Sequence, residues 1–297
     1  MLRQAFITQL LCWDRIIDYY RYSLSQAHIN QRYCGHGTIS LAEDLQALIA
    51  NSLSVSFDIL PSLWLAQLSA AEKITLSERL ALRVIDAVPV PYITNTAYFC
   101  DLEFFVDARV LIPRSPIAEL IQASFAPWIR SDQVHRILDL CTGSGCIAIA
   151  CAYAFPDAII DAVDISSAAL DVATLNQQKH ADMTDLVTFI ESDCWEKVPL
   201  VKYDIIVSNP PYVGFEEMQT LPAEYSHEPC LALQAENNGL MIIEKILAQA
   251  KEYLTPHGIL VMEVGNTAAL LRAKHPDIPF IWVDLANGGD GVFVLML

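Results

Sequence analysis

The chain has 297 residues, of which 54% are hydrophobic, and a formal net charge of −17 at pH 7. This composition excludes a disordered chain, and the length favours one large domain or two ordinary ones. Residues 1–96 hold seven Lys and Arg against eight Asp and Glu, whereas residues 97–297 hold 11 against 27. Because an acidic surface repels phosphate backbones, we expect no direct binding of duplex DNA. The acidity favours a cationic protein partner, or it serves solubility alone.

The eight cysteines include no C-x-x-C pair. This usage indicates buried thiols in a reducing compartment, and we expect neither a metal site nor a disulfide framework. The longest charge-free run, residues 140–156, contains a Thr-Gly-Ser-Gly turn, so it does not predict a membrane helix. The N-terminal stretch has no small-residue cleavage site. We therefore expect a cytoplasmic protein that does not bind a membrane.

The first part of the chain carries helical patterns. Apolar residues recur at spacings of four and three from residue 6 to residue 24, which predicts one amphipathic helix. Ser40, Ser69 and Thr75 each precede a Glu by three residues, and each such capping box predicts a helix start. We expect a helical N-terminal domain over residues 1–87. It either recruits a substrate or serves as a structural cap.

Residues 88–113 are expected to link two domains. Proline alternates with valine from Val88 to Pro91, which predicts a stiff linker. Short segments rich in β-branched and aromatic residues follow, and they predict a hairpin. These segments are Tyr92–Thr94, Ala97–Cys100, Glu103–Val106 and Val110–Ile112.

Strands alternate with helices in residues 114–297. Strands are predicted at residues 136–141, 159–163, 186–190, 203–208, 259–263, 280–283 and 292–296. The alternation predicts an α/β fold with a Rossmann-like, doubly wound and mostly parallel sheet. A glycine-rich turn at residues 287–291 joins the last two strands, so we expect an antiparallel edge strand.

A candidate cofactor site follows the first three of these strands. The segment from Asp139 to Gly145 places two glycines between a strand and its helix, where a tight turn lets the backbone approach a ligand. Asp164 ends the next strand 21 residues after Gly143, a spacing typical of an acid that accepts hydrogen bonds from ribose hydroxyls. Asp193 ends the third strand, where a carboxylate can bind the adenine amino group. At this point both NAD and S-adenosyl-L-methionine (SAM) fit.

The sequence Asn209-Pro210-Pro211-Tyr212 follows the fourth strand. The Asn209 side chain offers an amide oxygen, and the carbonyl before a proline has no ladder to join. With the aromatic ring of Tyr212, these groups form a site for a planar amide or amine that carries two N–H donors. The motif lies where the reacting end of SAM would point, which favours SAM over NAD. The alternative is a proline-rich turn without function.

These motifs resemble the class I SAM-dependent methyltransferases that modify exocyclic amines and amides. Residues 110–117 and the helical N-terminal domain resemble the bacterial protein-glutamine methyltransferases. Two further segments, residues 221–229 and 287–293, resemble the branch that methylates large-subunit ribosomal protein L3. In the sister branch, which methylates release factors, Pro-Glu-Thr typically follows the Pro-Arg pair, where this chain has Ser115-Pro116-Ile117.

The resemblance implies SAM as the cofactor and N5-methylglutamine as the product. It implies that the ribose is bound by Asp164, that the adenine is bound by Asp193 and Cys194, and that the glutamine amide is bound by Asn209 and Pro210. It also implies that the methionine part of SAM is bound by the turn that follows Asp139, namely by Thr142, Gly143, Ser144, Gly145 and Cys146.

Three alternatives stay open at this stage. Release-factor methylation shares the same motifs, and so does adenine methylation of nucleic acid, although the charge argues against the latter. A SAM-binding ribosome-assembly factor without catalysis is a different class of protein. The loop at residues 213–237 carries five glutamates and no Lys or Arg, so we expect it to bind a basic protein segment or to be a solvated acidic loop.

Overall fold

The computed structural model describes residues 1–286, 288–289 and 291–296, and it divides into two compact units. The helical unit comprises Met1–Thr96 and Pro222–His227. The sheet unit comprises Ala97–Leu221 and Glu228–Leu297. Two members of the predicted motif at residues 287–293, Asn287 and Asp290, lie outside the described residues.

Five α-helices build the helical unit. They are α1 (Leu2–Leu11), α2 (Ile16–Ile29), α3 (Leu41–Ser52), α4 (Ala70–Val84) and α5 (Val90–Thr94). Their apolar faces bury one continuous core, which includes Leu10, Tyr19, Leu45, Leu48 and Leu80. This burial, at about 25 cal/mol per Å² of apolar surface, is what stabilises such short helices in water.

Local patterns predict the helix starts of this unit only in part. The oxygen of Ser40 accepts the Glu43 N–H, and Ser69 forms a reciprocal capping box with Glu72. Thr75 is not a cap, because the Ser69 box has already started α4 six residues earlier.

The predicted single helix from residue 6 to residue 24 is also wrong, because α1 and α2 are separate helices. Arg15 forms a bridge with Gln67, and the Leu68 N–H donates to the Asp14 carbonyl at 2.8 Å. This backbone pairing with residues 67 and 68 replaces the bonds that a continuous helix would form at residues 14 and 15.

The buried guanidinium of Arg83 joins three segments of the helical unit. It is 2% exposed and donates to Asp44 Oδ2 at 2.5 Å, to Glu224 Oε1 at 3.0 Å and to the Tyr33 carbonyl at 2.6 Å. Glu224 also accepts the Tyr33 N–H at 2.9 Å. The segment Pro222–His227 is therefore held in this unit by ionic hydrogen bonds to residues far away in sequence.

A helix replaces part of the predicted β segments. Tyr92–Thr94 lies in α5, because Pro91 sits in the first helical turn, where its fixed φ is favourable. The hairpin prediction is confirmed for β1 (Ala97–Phe99) and β2 (Leu102–Phe104), which pair antiparallel. Val110–Ile112 forms no strand.

A seven-stranded sheet is the centre of the sheet unit. Its strands are β3 (Arg136–Leu140), β4 (Ile159–Asp164), β5 (Val187–Glu191), β6 (Tyr203–Ser208), β7 (Leu254–Glu263), β8 (Ile281–Trp282) and β9 (Val292–Met296). The order is β5-β4-β3-β6-β7-β9-β8. The first five strands are parallel, and β9 runs antiparallel to both β7 and β8. The predicted α/β fold with an antiparallel edge is confirmed.

Helices cover both faces of this sheet. The α-helices among the described residues of the sheet unit are α6 (Ile117–Gln122), α7 (Cys146–Ala154), α8 (Ser167–Lys179), α9 (Phe215–Met218), α10 (Cys230–Leu233), α11 (Met241–Tyr253) and α12 (Ala268–Lys274). One core cluster includes Ile149 and Ile205, and the other includes Leu138 and Ile243. Among the described residues, no helix has the length and apolar character needed to cross a bilayer.

We expect Arg83→Met to lower the free energy of unfolding of the helical unit by about 3–5 kcal/mol. The substitution leaves Asp44 and Glu224 buried without the cation they share. Urea denaturation of the full chain, followed by circular dichroism, measures the loss. Arg79→Met on the same helix is the control, because its partners Asn51 and Ser52 are neutral. A loss for Arg83→Met no larger than the control would contradict the expectation.

Candidate active site

A cavity of about 400 Å³ opens at the carboxyl ends of β3, β4, β5 and β6. Leu140 of β3 pairs with Val163 of β4 and with Ser208 of β6, so these strands end at the same level. The turns that follow them therefore converge on one space. Residues from all four turns line it: Thr142, Gly143, Asp164, Asp193, Cys194 and Asn209.

The turn between β3 and α7 needs glycine at two positions. Gly143 and Gly145 have φ of +56° and +77°, values that a residue with a Cβ atom rarely adopts. A Cβ atom on Gly145 would also lie 3.1 Å from the Ala173 Cβ, whereas one on Gly143 would meet no atom within 4 Å. Gly145 thus serves packing as well as conformation. Gly143 leaves its backbone accessible from the cavity, which it lines with Thr142, Ser144 and Cys146.

The carboxylate of Asp164 connects the ends of two strands. Its Oδ2 accepts the Gly143 N–H at 2.8 Å, and its Oδ1 accepts the Ser166 N–H at 2.9 Å. Burial raises the pKa of Asp164, and these two hydrogen bonds act in the opposite direction. Because each carboxylate oxygen has two lone pairs, both oxygens retain the capacity to accept a bond from a ligand hydroxyl.

Asp139 supports the glycine turn from beneath. Its side chain is fully buried, and Oδ2 accepts the Thr142 hydroxyl at 2.5 Å and the Ala148 N–H at 3.1 Å. Oδ1 has no hydrogen-bond partner among the described residues. Burial raises the pKa of this carboxyl to about 7. Asp139 does not line the cavity, but it holds Thr142, which does.

The end of β5 carries a thiol and an ion pair. Lys245 of α11 contacts Asp193 Oδ2 at 2.6 Å. A hydrogen bond from Cys141, together with the charge of Lys245, lowers the pKa of Cys194. All four residues line the cavity. The sequence gives no signal for Lys245, because an isolated lysine on a helix has no pattern and its partner lies 52 positions away.

The Asn-Pro-Pro-Tyr motif lies beside the glycine turn. The Ser208 hydroxyl donates to the Leu140 carbonyl at 2.8 Å and fixes the end of β6 against β3. Asn209 and Pro211 line the cavity, and Pro210 is buried. The Tyr212 hydroxyl donates to Glu263 Oε1 at 2.6 Å. Glu263 has no signal in the sequence, because it ends a strand of otherwise ordinary apolar pattern.

Two of the five glutamates in residues 213–237 are not available to a basic partner. Glu224 is 1% exposed and is bound by Arg83 within the helical unit. Glu228 is 5% exposed and is bound by Arg114 at 2.9 Å within the sheet unit. Neither a basic partner nor solvent therefore reaches these two glutamates, and the expectation for the loop can concern only the other three. Both carboxylates sit where a guanidinium offsets the cost of burial.

Comparisons with known proteins identify the family. The family model described as "Methyltransferase small domain" matches residues 123–223. The ribosomal protein uL3 glutamine methyltransferase of Francisella tularensis subsp. tularensis is 45% identical over 281 residues, which cover 94% of this chain and 89% of that protein. The protein of the same name from Neisseria meningitidis serogroup A is 41% identical over 286 residues, covering 95% and 92%.

A solved structure supports the fold. The hMettl16 catalytic domain in complex with a MAT2A 3′UTR hairpin matches with a TM-score of 0.51 at 15% identity, covering 76% of this chain and 81% of that chain. At this identity the likeness concerns the class I methyltransferase fold alone. The two relatives cover nearly the whole length of the chain at more than 40% identity. The chain belongs to the family of the ribosomal protein uL3 glutamine methyltransferases.

Proposed function

We propose that this enzyme transfers the methyl group of SAM to the side-chain amide nitrogen of a glutamine in ribosomal protein uL3, giving N5-methylglutamine. The observation that carries the proposal is the position of the Asn-Pro-Pro-Tyr motif, of which Asn209 and Pro211 line the cavity beside the glycine turn. The names of the two curated relatives supply the substrate. Because that substrate is a ribosomal protein, the enzyme works in the cytoplasm.

The cavity has the chemistry that an adenosyl sulfonium compound requires. SAM supplies an electrophilic methyl group on a positively charged sulfur. Asp164 accepts the ribose hydroxyls with its remaining lone pairs, and Asp193 with Cys194 binds the adenine. The backbone from Thr142 to Cys146, which Gly143 leaves accessible, holds the methionine part.

The substrate amide nitrogen is a poor nucleophile, because its lone pair is delocalised into the carbonyl. The Asn209 amide oxygen and the Pro210 carbonyl each accept one N–H of that amide and fix its orientation. The same two oxygens stabilise the positive charge that develops on the nitrogen. The Tyr212 ring stacks on the amide plane, and its negative face attracts the same charge. The proton of the methylated nitrogen then leaves to water.

The surface of the chain favours a basic substrate. The sheet-bearing part of the sequence holds most of the negative charge, and Glu216 and Glu236 are exposed in the loop that follows the motif. These groups attract a cationic protein and accelerate its encounter. The helical N-terminal domain, residues 1–87, recruits the substrate, residues 88–113 link it to the catalytic part, and residues 114–297 carry out the methyl transfer.

Asn209→Ala is expected to reduce kcat by a factor equivalent to about 2–4 kcal/mol, because one acceptor for the charged nitrogen is lost. Transfer of radiolabelled methyl groups to purified uL3 measures the rate, and calorimetry measures the affinity for SAM, which we expect to be retained. Gln178→Ala, at an exposed amide on α8 that does not line the cavity, is the control. If Asn209→Ala is as active as the control, Asn209 does not bind the substrate amide.

Asp164→Asn is expected to weaken SAM binding by about 1.5–3 kcal/mol, the usual contribution of a hydrogen bond to a charged group. Because burial raises the pKa of Asp164, the wild-type carboxyl takes up a proton at a higher pH than an ordinary Asp. The wild-type affinity for SAM is therefore highest above that pKa and falls as pH decreases through it. Asp164→Asn lacks this pH dependence. Calorimetric titrations at several pH values test both points, with the exposed Asp157→Asn as control.

The choice of substrate is tested by offering uL3, a peptide chain release factor and adenine-containing DNA in parallel with labelled SAM. We expect label in uL3, and mass spectrometry should place it on one glutamine. Label only in the release factor would show that the enzyme has the activity of the sister branch, which methylates release factors. Binding of SAM without transfer to any of the three would indicate an assembly factor.

A further inference from the structure

The buried carboxylate of Glu263 holds two hydroxyl groups of the sheet unit. It ends β7 and is 6% exposed. The Tyr212 hydroxyl donates to Oε1 at 2.6 Å, and the Ser115 hydroxyl donates to Oε2 at 2.6 Å. Hydrogen bonds between a hydroxyl and an ionised carboxylate are short and about twice as strong as neutral ones. Both oxygens of Glu263 therefore serve to hold side chains, one of which belongs to the Asn-Pro-Pro-Tyr motif.

Two glycines leave the space that Tyr212 occupies. A Cβ atom on Gly265 would lie 2.5 Å from Cε2 of the Tyr212 ring, and one on Gly239 would lie 2.0 Å from the Tyr212 carbonyl oxygen. Both glycines have positive φ, +47° and +87°. The ring of Tyr212 thus lies against bare backbone, and its hydroxyl is bound by Glu263. The contacts define both the place of the ring and its rotation, although rotation of an aromatic ring about its last torsion is otherwise broad.

The surroundings of Glu263 are unusual for a carboxylate. Burial raises its pKa, while the hydrogen bonds from Ser115 and Tyr212 and the positive charge of Arg114 act in the opposite direction. Arg114 itself contacts Glu228 at 2.9 Å, so its charge is shared. An acid buried in this way costs stability unless its hydrogen bonds offset desolvation. Glutamine has nearly the same shape but only one acceptor oxygen, so it could not accept both hydroxyls as the carboxylate does.

We propose that Glu263 is a positioning residue for methyl transfer, which orients the Tyr212 ring against the substrate amide and increases the negative charge of the ring. The hydrogen bond from the phenol to the carboxylate draws electron density onto the phenol oxygen and the ring. The face of such a ring attracts the cationic nitrogen more strongly as the methyl group is transferred. The inference rests on the proposed function, because it assumes that Tyr212 contacts the substrate amide.

The test combines Glu263→Gln, Tyr212→Phe and the double variant. Glutamine keeps the shape of Glu263 but removes the charge and one acceptor, and phenylalanine keeps the ring but removes its hydroxyl. We expect each single variant to lower kcat/KM for uL3 by about tenfold to hundredfold, through a lower kcat and a higher KM for uL3. The dissociation constant of SAM should not change. Because Glu263 acts through Tyr212, the double variant should be no slower than the slower single variant.

Thermal unfolding separates this role from a purely structural one. A structural role predicts a lower melting temperature for Glu263→Gln with kcat/KM unchanged. The positioning role predicts a lower kcat/KM for Glu263→Gln with the dissociation constant of SAM unchanged, whatever the change in melting temperature. Glu252→Gln, at an exposed position, is the matched control and should behave as wild type in both measurements.

Two results would overturn the inference while leaving the proposed function intact. One is wild-type kcat/KM for either single variant, with Asn209→Ala still defective. The other is multiplication of the two single effects in the double variant, because Glu263 would then act independently of Tyr212. A wild-type enzyme that binds SAM and fails to methylate uL3 would overturn the proposed function, and the inference with it.

Discussion

Parallel hydrogen bonding of β3 with β4 and β6 is the constraint on which the site depends. The register sets Leu140 beside Val163 and Ser208, so three strands end at the same level. Only then can the Asp164 carboxylate reach the Gly143 N–H, 21 positions earlier in the chain, at 2.8 Å. The same register brings Asn209 to the edge of the cavity that the glycine turn lines. A shift of one residue would point each of these side chains to the opposite face.

Glu224, Glu228, Asp164 and Glu263 have two kinds of partner. Glu224 and Glu228 are bound by guanidinium groups and hold the loop that follows Tyr212. Asp164 and Glu263 are held by N–H and hydroxyl donors, and burial raises the pKa of both. Such donors stabilise an anion without supplying a full positive charge. Carboxylates held in this way favour a cationic ligand, which suits an enzyme whose cofactor is a sulfonium and whose reaction builds charge on nitrogen.

Local sequence patterns were sufficient to predict most helices and strands of the catalytic part, but they predicted the helices of the N-terminal part less well. The strand–turn–helix around Gly143 and the antiparallel edge agree with the predictions, because periodicity and turn chemistry are local. The break between α1 and α2 was missed, since a bridge from Arg15 to Gln67 causes it. Lys245 and Glu263 were missed because a single charged residue carries no pattern.

The sequence by itself determined the order of the elements, the glycine turn and the residues that end each strand. These features follow from φ preferences and from the periods of apolar residues, which act over a few positions. Only the tertiary structure decided the partners of the carboxylates. Glu224 meets Arg83 across 141 positions, and Glu263 meets Ser115 across 148. Such pairs form because packing brings distant segments together, so that each buried carboxylate can reach only the donors beside it. No local pattern in the sequence encodes which donors these are.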